Sequence, residues 1–190
     1  MLNKTLGLVI TLGMLCWSAT AHAQQDDLAQ ARTSAAALGK ALMIELTSAM
    51  QQNGPLAAID VCHLQALPIA EQISQMQGWQ VARTSTKVRN PQNKADAWEL
   101  EQLAAFEKKL RDGTPIDQLD VLSTHQQDGK IVQRYMKAIG IQPGCLACHG
   151  SKLSPDVAAK LDALYPQDQA KGYDVGQLRG AFTLQRDLKH

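Results

Sequence analysis

The stretch Cys145-Leu146-Ala147-Cys148-His149 constrains this chain more than any other, because a C-x-x-C-H pentad specifies a ligand around which the fold has to be built. Two thiols three residues apart reach the two vinyl groups of one haem and close two thioethers on it. His149 then falls beneath the iron as the proximal axial ligand. The tether holds the haem even in a domain with a modest core. Other chemistries share part of this spacing. A thioredoxin-like dithiol opens a helix after a strand in a βαβ unit, whereas Pro143-Gly144 precede this pentad and Gly150-Ser151 follow it. A structural disulfide, or a zinc corner of Cys145, Cys148, His149 and one further cysteine, is the remaining competitor. The spacing favours one covalently bound haem c, carried in a loop-like run from Gly140 to Ser154 near the C-terminal third.

The compartment supports that reading. Lys4, an apolar run from Leu6 to Trp17, and Ala21-His22-Ala23 ahead of Gln24-Gln25-Asp26-Asp27 form the pattern of a secretory signal peptide with an A-x-A cleavage site. Residues 1–23 are expected to be removed on export to the periplasm, leaving 24–190 as a single c-type haem domain of 167 residues (190 − 23). The bulky Leu15 before Cys16 argues against lipidation. The apolar run falls short of the roughly 20 residues a transmembrane helix needs, so no membrane insertion is expected after cleavage. Lys4 is the only charge in the leader, and its loss takes the formal net charge from +1 to 0. Nucleic acid and anionic membrane, which demand a basic patch, are not expected partners.

Three cysteines then remain, Cys62, Cys145 and Cys148. If the pentad consumes two, Cys62 is an odd thiol in an oxidising compartment, which invites a functional explanation. It stands near the centre of an apolar helical stripe formed by Leu56, Ile59, Ala66, Ile69, Ile73 and Met76. Such a cysteine is either a small buried hydrophobe or an iron ligand supplied from a helix to the far face of the haem. Spacing does not decide between these, because Met76, Met136, His63 and His125 are also chemically able ligands.

The periodicities predict an α+β domain around an antiparallel sheet flanked by N-terminal helices. Apolar residues from Leu28 to Ala49 repeat at helical spacing, giving a helix over 26–51. Asn53-Gly54-Pro55 breaks it, and a second helix runs to about Gln77, bent or ended by Pro68 about two turns after Cys62. Trp79 to Ser85 alternates like a half-buried strand continuing toward Arg89, and a helix is expected over 95–110, closed by Asp112-Gly113. Leu119–Thr124 and Lys130–Tyr135 flank Gln127-Asp128-Gly129, a hairpin signature. A short helix starts at Ser154-Pro155-Asp156 and runs through Leu164, and a last strand covers Leu178–Leu184.

Several of these stretches resemble a known family. They are Ala58-Ile59-Asp60-Val61-Cys62, the run Arg83 to Pro91, Arg134-Tyr135-Met136-Lys137-Ala138-Ile139 before Cys145 to Gly150, and Gly172-Tyr173 with Arg179-Gly180-Ala181-Phe182. Together they are similar to the small secreted c-type haem domain with a PAS-like fold, described as a domain of unknown function and found alone or as the sensing half of bacterial signalling proteins. That resemblance implies His149/Cys62 axial ligation, with Met136 and His63 as alternative ligands. It also makes Arg83 and Arg89 candidate partners of the haem propionates, with Arg134 behind them, since buried carboxylates need cationic or hydrogen-bonding groups.

The expected function is a redox-active haem module for electron transfer or redox response, working with a redox or signalling partner protein. The alternatives are a gas or small-ligand sensor in which one axial ligand leaves, and, more weakly, a peroxidase-like enzyme, for which no catalytic acid or base is evident. No kinase, receiver or transmembrane segment is seen after the domain, so a sensor role is expected to require a separate partner.

Overall fold

In the computed structural model the backbone is described over residues 15–188 and the side chains over 24–188. Of the expected leader, residues 1–14 therefore lie outside the described residues. No helix among the described residues is long and apolar enough to cross a membrane.

The chain opens with α1 (Leu15–Leu64), which starts upstream of the expected Asp26. Its two arms join across a kink where Gly54 takes φ 75° and ψ −169°, so Asn53-Gly54-Pro55 does break the helix. The second break arrives earlier than expected. Pro68 has no N–H for the Leu64 carbonyl and its ring crowds that carbonyl, so the helix stops at Leu64 and α2 (Ala66–Gln77) begins after Gln65. Gly78, left-handed at φ 69°, ends α2.

Strand β1 (Gln80–Thr84) follows, and the expected continuation toward Arg89 is replaced by irregular chain with a 3₁₀ turn at Pro91–Asn93. Helix α3 (Ala97–Arg111) starts on a capping box, with Asp96 bonded to the Glu99 N–H and Glu99 to the Asp96 N–H. Strands β2 (Asp120–Gln127) and β3 (Lys130–Gly140) form the hairpin, turning at Asp128 and Gly129, both at positive φ (50° and 77°). Strand β3 runs past the expected Tyr135 to Gly140. Helices α4 (Leu146–His149) and α5 (Pro155–Leu164) come next, and β4 (Leu178–Leu188) closes the chain. The pentad is thus a 3₁₀ turn over Pro143–Cys145 running into one helical turn, where a loop was expected.

The four strands are antiparallel in the order β1-β4-β3-β2, the PAS-like α+β arrangement expected. One sheet face, through Val81, Tyr135 and Leu184, packs on Ala31, Ala35 and Leu38 of α1. The opposite face, through Met136, Ala138 and Ala181, packs on Leu103 and Phe106 of α3. A third cluster joins Ile59 of α1 to Val157, Leu161 and Tyr165, and the Asp60–Lys160 pair at 2.5 Å reinforces it. That contact brings the Cys62 turn of α1 over the pentad.

Candidate functional site

A cavity enclosing about 1040 Å³ of atom-free space, part of it open to solvent, lies between the two arms of α1, the ends of β1, β3 and β4, and the pentad. Cys62, Cys145, Cys148 and His149 all line it, together with Arg83 and Arg89. Cys62 and His149, 87 positions apart in sequence (149 − 62), therefore share one space. Cys62, Cys145 and Cys148 are all free thiols. Among the described residues no three His, Cys, Asp or Glu gather closely enough to hold a metal ion.

His149 is set for ligation. Its Nδ1 lies 2.8 Å from the Ala170 carbonyl, which can only accept, so Nδ1 carries the hydrogen and Nε2 keeps its lone pair. Burial pushes the imidazole down to about 3, with Arg89 and Arg179 adding to the effect and the Ala170 bond opposing it. It is neutral at physiological pH. The residue after it is glycine for a steric reason: a Cβ at Gly150 would meet the Leu146 carbonyl oxygen at 2.7 Å. Backbone bonds from Tyr173 N to the His149 carbonyl at 3.0 Å and from Gly172 N to the Gly150 carbonyl at 3.1 Å then lash the pentad to the 170–173 segment.

Cys62 faces a mixed environment. Burial pushes its thiol up, while the guanidinium groups of Arg83, Arg89 and Arg179 pull it back toward the thiolate. Burial likewise raises the Cys148 thiol, against the pull of Arg89.

The arginines divide into two kinds. Arg32, Arg89, Arg111, Arg134 and Arg186 pair with carboxylates among the described residues, whereas Arg83 and Arg179 do not. Arg83 makes no hydrogen bond to another described residue, and burial lowers its pKa. Arg179 donates only to Ser85 Oγ at 2.9 Å and the Lys87 carbonyl at 3.1 Å, and burial lowers it too. Two half-buried cations, neither paired with a carboxylate among the described residues, line the cavity. Arg179 and Tyr165, which also lines it, were not among the residues expected from sequence. Arg179 does fall in one of the family-like stretches, which was the available signal.

The other expected residues, Arg89 apart, lie outside the cavity lining. Arg134 and Met136 share strand parity and point to the α3 face of the sheet. There Arg134 pairs with Asp96 at 2.7 Å and Glu99 at 3.3 Å and stacks on Trp98, while Met136 is fully buried against Leu103 and Phe106. His63 is exposed and is not among the cavity-lining residues, its ring edge-on to Tyr165 at 5.2 Å. Met76 is exposed, and His125 contacts Ser123 and Trp98. Arg89 lines the cavity but is engaged, through bonds to Asp168, the Cys148 carbonyl and the Ala170 carbonyl.

The donor set suits an iron porphyrin. Two thiols stand at C-x-x-C spacing beside an imidazole with a free Nε2, a third thiol comes from another element, and two uncompensated cations suit a dianionic ligand.

No protein of curated function matches this sequence. The fold matches the crystal structure of the cyanobacterial haem protein Tll0287 with a TM-score of 0.62 at 22% sequence identity, covering 87% of this chain and 97% of that one. The profile of the family described as Tll0287-like matches residues 18–185, and the chain belongs to the Tll0287-like family.

Proposed function

We propose that this chain is a periplasmic c-type monohaem protein that works as a redox-active module, exported through residues 1–23 and folded as one domain over 24–190. The observation that carries the reading is the convergence of Cys62, Cys145, Cys148 and His149 on one cavity beside the unpaired Arg83 and Arg179. The similarity to the structure of a cyanobacterial haem protein supports it.

Bound there, a haem supplies one-electron redox chemistry. The chain's residues do the rest. The thiols of Cys145 and Cys148 would hold it covalently, each adding across a vinyl group with the S–H hydrogen passing to carbon, a redox-neutral attachment. His149 would offer Nε2 to the iron while the Ala170 carbonyl fixes its Nδ1–H. Cys62 would offer a thiolate from α1, whose charge would favour ferric iron and hold the reduction potential low. Arg83 and Arg179 would receive the propionates. Ile59, Leu161 and Ile141 would give the group an apolar wall. A partner protein supplies and removes the electron.

Acid-acetone treatment of the exported protein tests this reading. Haem that stays with the polypeptide supports it, and extractable haem, or zinc by elemental analysis, overturns it. Exposure of the reduced protein to carbon monoxide then separates the roles: no binding fits a carrier with both ligands retained, and binding turns the assignment to a small-ligand sensor acting through a partner.

A further inference from the structure

Arg89, expected on the propionates, lines the cavity and is also tied to the pentad by its hydrogen bonds. Nε donates to Asp168 Oδ2 at 3.0 Å, and Nη2 donates to the Cys148 carbonyl at 2.6 Å and the Ala170 carbonyl at 3.2 Å. Asp168 Oδ1 accepts from the Ala170 N–H at 2.8 Å. The same Ala170 carbonyl accepts the His149 Nδ1–H. These five bonds form a closed circuit from the second cysteine of the pentad, through Arg89 and Asp168, to the imidazole. The ion pair is nearly dry, its side chains 10% and 1% exposed. A bond from Gln169 N to the Val88 carbonyl at 2.9 Å holds the two arms of the circuit side by side.

We propose that Arg89 and Asp168 are positioning residues that set the orientation and donor strength of His149 as an axial ligand. The inference rests on the haem reading above. Arg89 shares the Ala170 carbonyl with His149, and an oxygen that already serves a guanidinium accepts less strongly from the imidazole. The Nδ1–H bond is thereby weakened and the imidazole made a poorer donor to iron. Asp168 works in the opposite sense: it draws the guanidinium toward itself, and by holding the Ala170 N–H it anchors the residue whose carbonyl, in the following peptide unit, meets the imidazole. An ordinary surface pair does none of this, because both partners would be solvated and free to move.

The test compares purified, haem-loaded Arg89→Gln, Arg89→Lys, Asp168→Asn and, as control, Lys87→Gln, each by redox titration and by low-temperature paramagnetic resonance of the ferric state. Lys87 lies over the Tyr173 ring at 4.9 Å and does not touch the circuit, so its loss removes a nearby cation alone. Arg89→Gln is expected to lower the potential, both by removing a cation and by strengthening the His149 bond, and to change the ferric g-values. Arg89→Lys keeps the charge and loses the fork, so the g-values should change while the potential stays nearer wild type. Asp168→Asn should raise the potential. Lys87→Gln should leave the g-values unchanged. If all three circuit variants keep wild-type g-values, or Asp168→Asn and Arg89→Gln shift the potential in the same direction, the proposal fails. Should Arg89→Gln not accumulate, Asp168→Asn, which preserves size and the Ala170 contact, decides the matter by the same two readouts. Loss of covalent haem from the wild type, in contrast, would overturn the haem reading itself.

Discussion

Exchanging Glu99 for glutamine places an NH₂ group where every partner donates. Oε1 accepts from Thr183 Oγ1 at 2.7 Å and lies 3.3 Å from Arg134 Nη2, while Oε2 accepts from Thr84 Oγ1 at 2.9 Å and the Asp96 N–H at 3.0 Å. Glu99 is only 7% exposed, so water does not take over. The threonine hydroxyls can rotate to accept, but the Asp96 amide and the Arg134 guanidinium cannot. Either orientation of the new amide therefore leaves one donor facing a donor. Arg134, whose buried Nε already lacks a partner, also loses a counter-charge. A lost bond to a charged group is worth about 1.5–3 kcal/mol and an unsatisfied buried donor about 1–3 kcal/mol. Glu99→Gln should thus cost about 3 kcal/mol, with about 5 kcal/mol as the ceiling for a broken buried pair. Urea unfolding followed by far-ultraviolet circular dichroism measures it, as a lower midpoint at an unchanged slope. A loss under about 1 kcal/mol would refute the idea that this carboxylate is a saturated buried acceptor. Because Thr84 also lines the cavity, the variant should load less haem.

Further outcomes follow from the same geometry. Arg83→Gln and Arg179→Gln should each lower the reduction potential, since each removes a cation beside the iron site; potentials equal to wild type would remove them from the propionates. Gly180→Ala should cripple folding, because at φ 154° its Cβ would lie 2.3 Å from the Thr84 carbonyl oxygen at the β1–β4 edge; a wild-type melting temperature would contradict this. For Asp120, burial pushes the carboxyl up, but the bonds from Arg32 and Tyr135 outweigh it and hold the group below the usual carboxylate range. A depressed pKa contributes stability above the unfolded value of about 3.9 and loses it as pH falls, so Asp120→Asn should be less stable at neutral pH and show a flatter acid limb.

What was legible in the sequence was local. The pentad, the Gly54 break and the Asp128-Gly129 turn each depend on neighbouring residues, and each appears where the chemistry of those residues requires. The position of Cys62 on an apolar helical stripe was also legible, but its meeting with the pentad depends on Ile59 packing against α5, a contact no spacing reveals. Arg134 and Met136 belong to a strand, so their parity fixes one face. The sequence offered no sign of which face would meet α1 and which α3. The bonds that engage Arg89, to two backbone carbonyls and an aspartate 79 residues away, were not legible because all three partners are distant in sequence. Arg179 escaped notice for the opposite reason: what marks it is the absence of a carboxylate partner, a property only the fold confers.

The most direct test of the account is paramagnetic resonance of the ferric protein, wild type beside Cys62→Ser. The account predicts a low-spin signal of a thiolate opposite imidazole in the wild type, replaced in the variant by a different ligand field, with the reduction potential raised. The same spectrum in both proteins would remove Cys62 from the iron and contradict the pairing of α1 with the pentad.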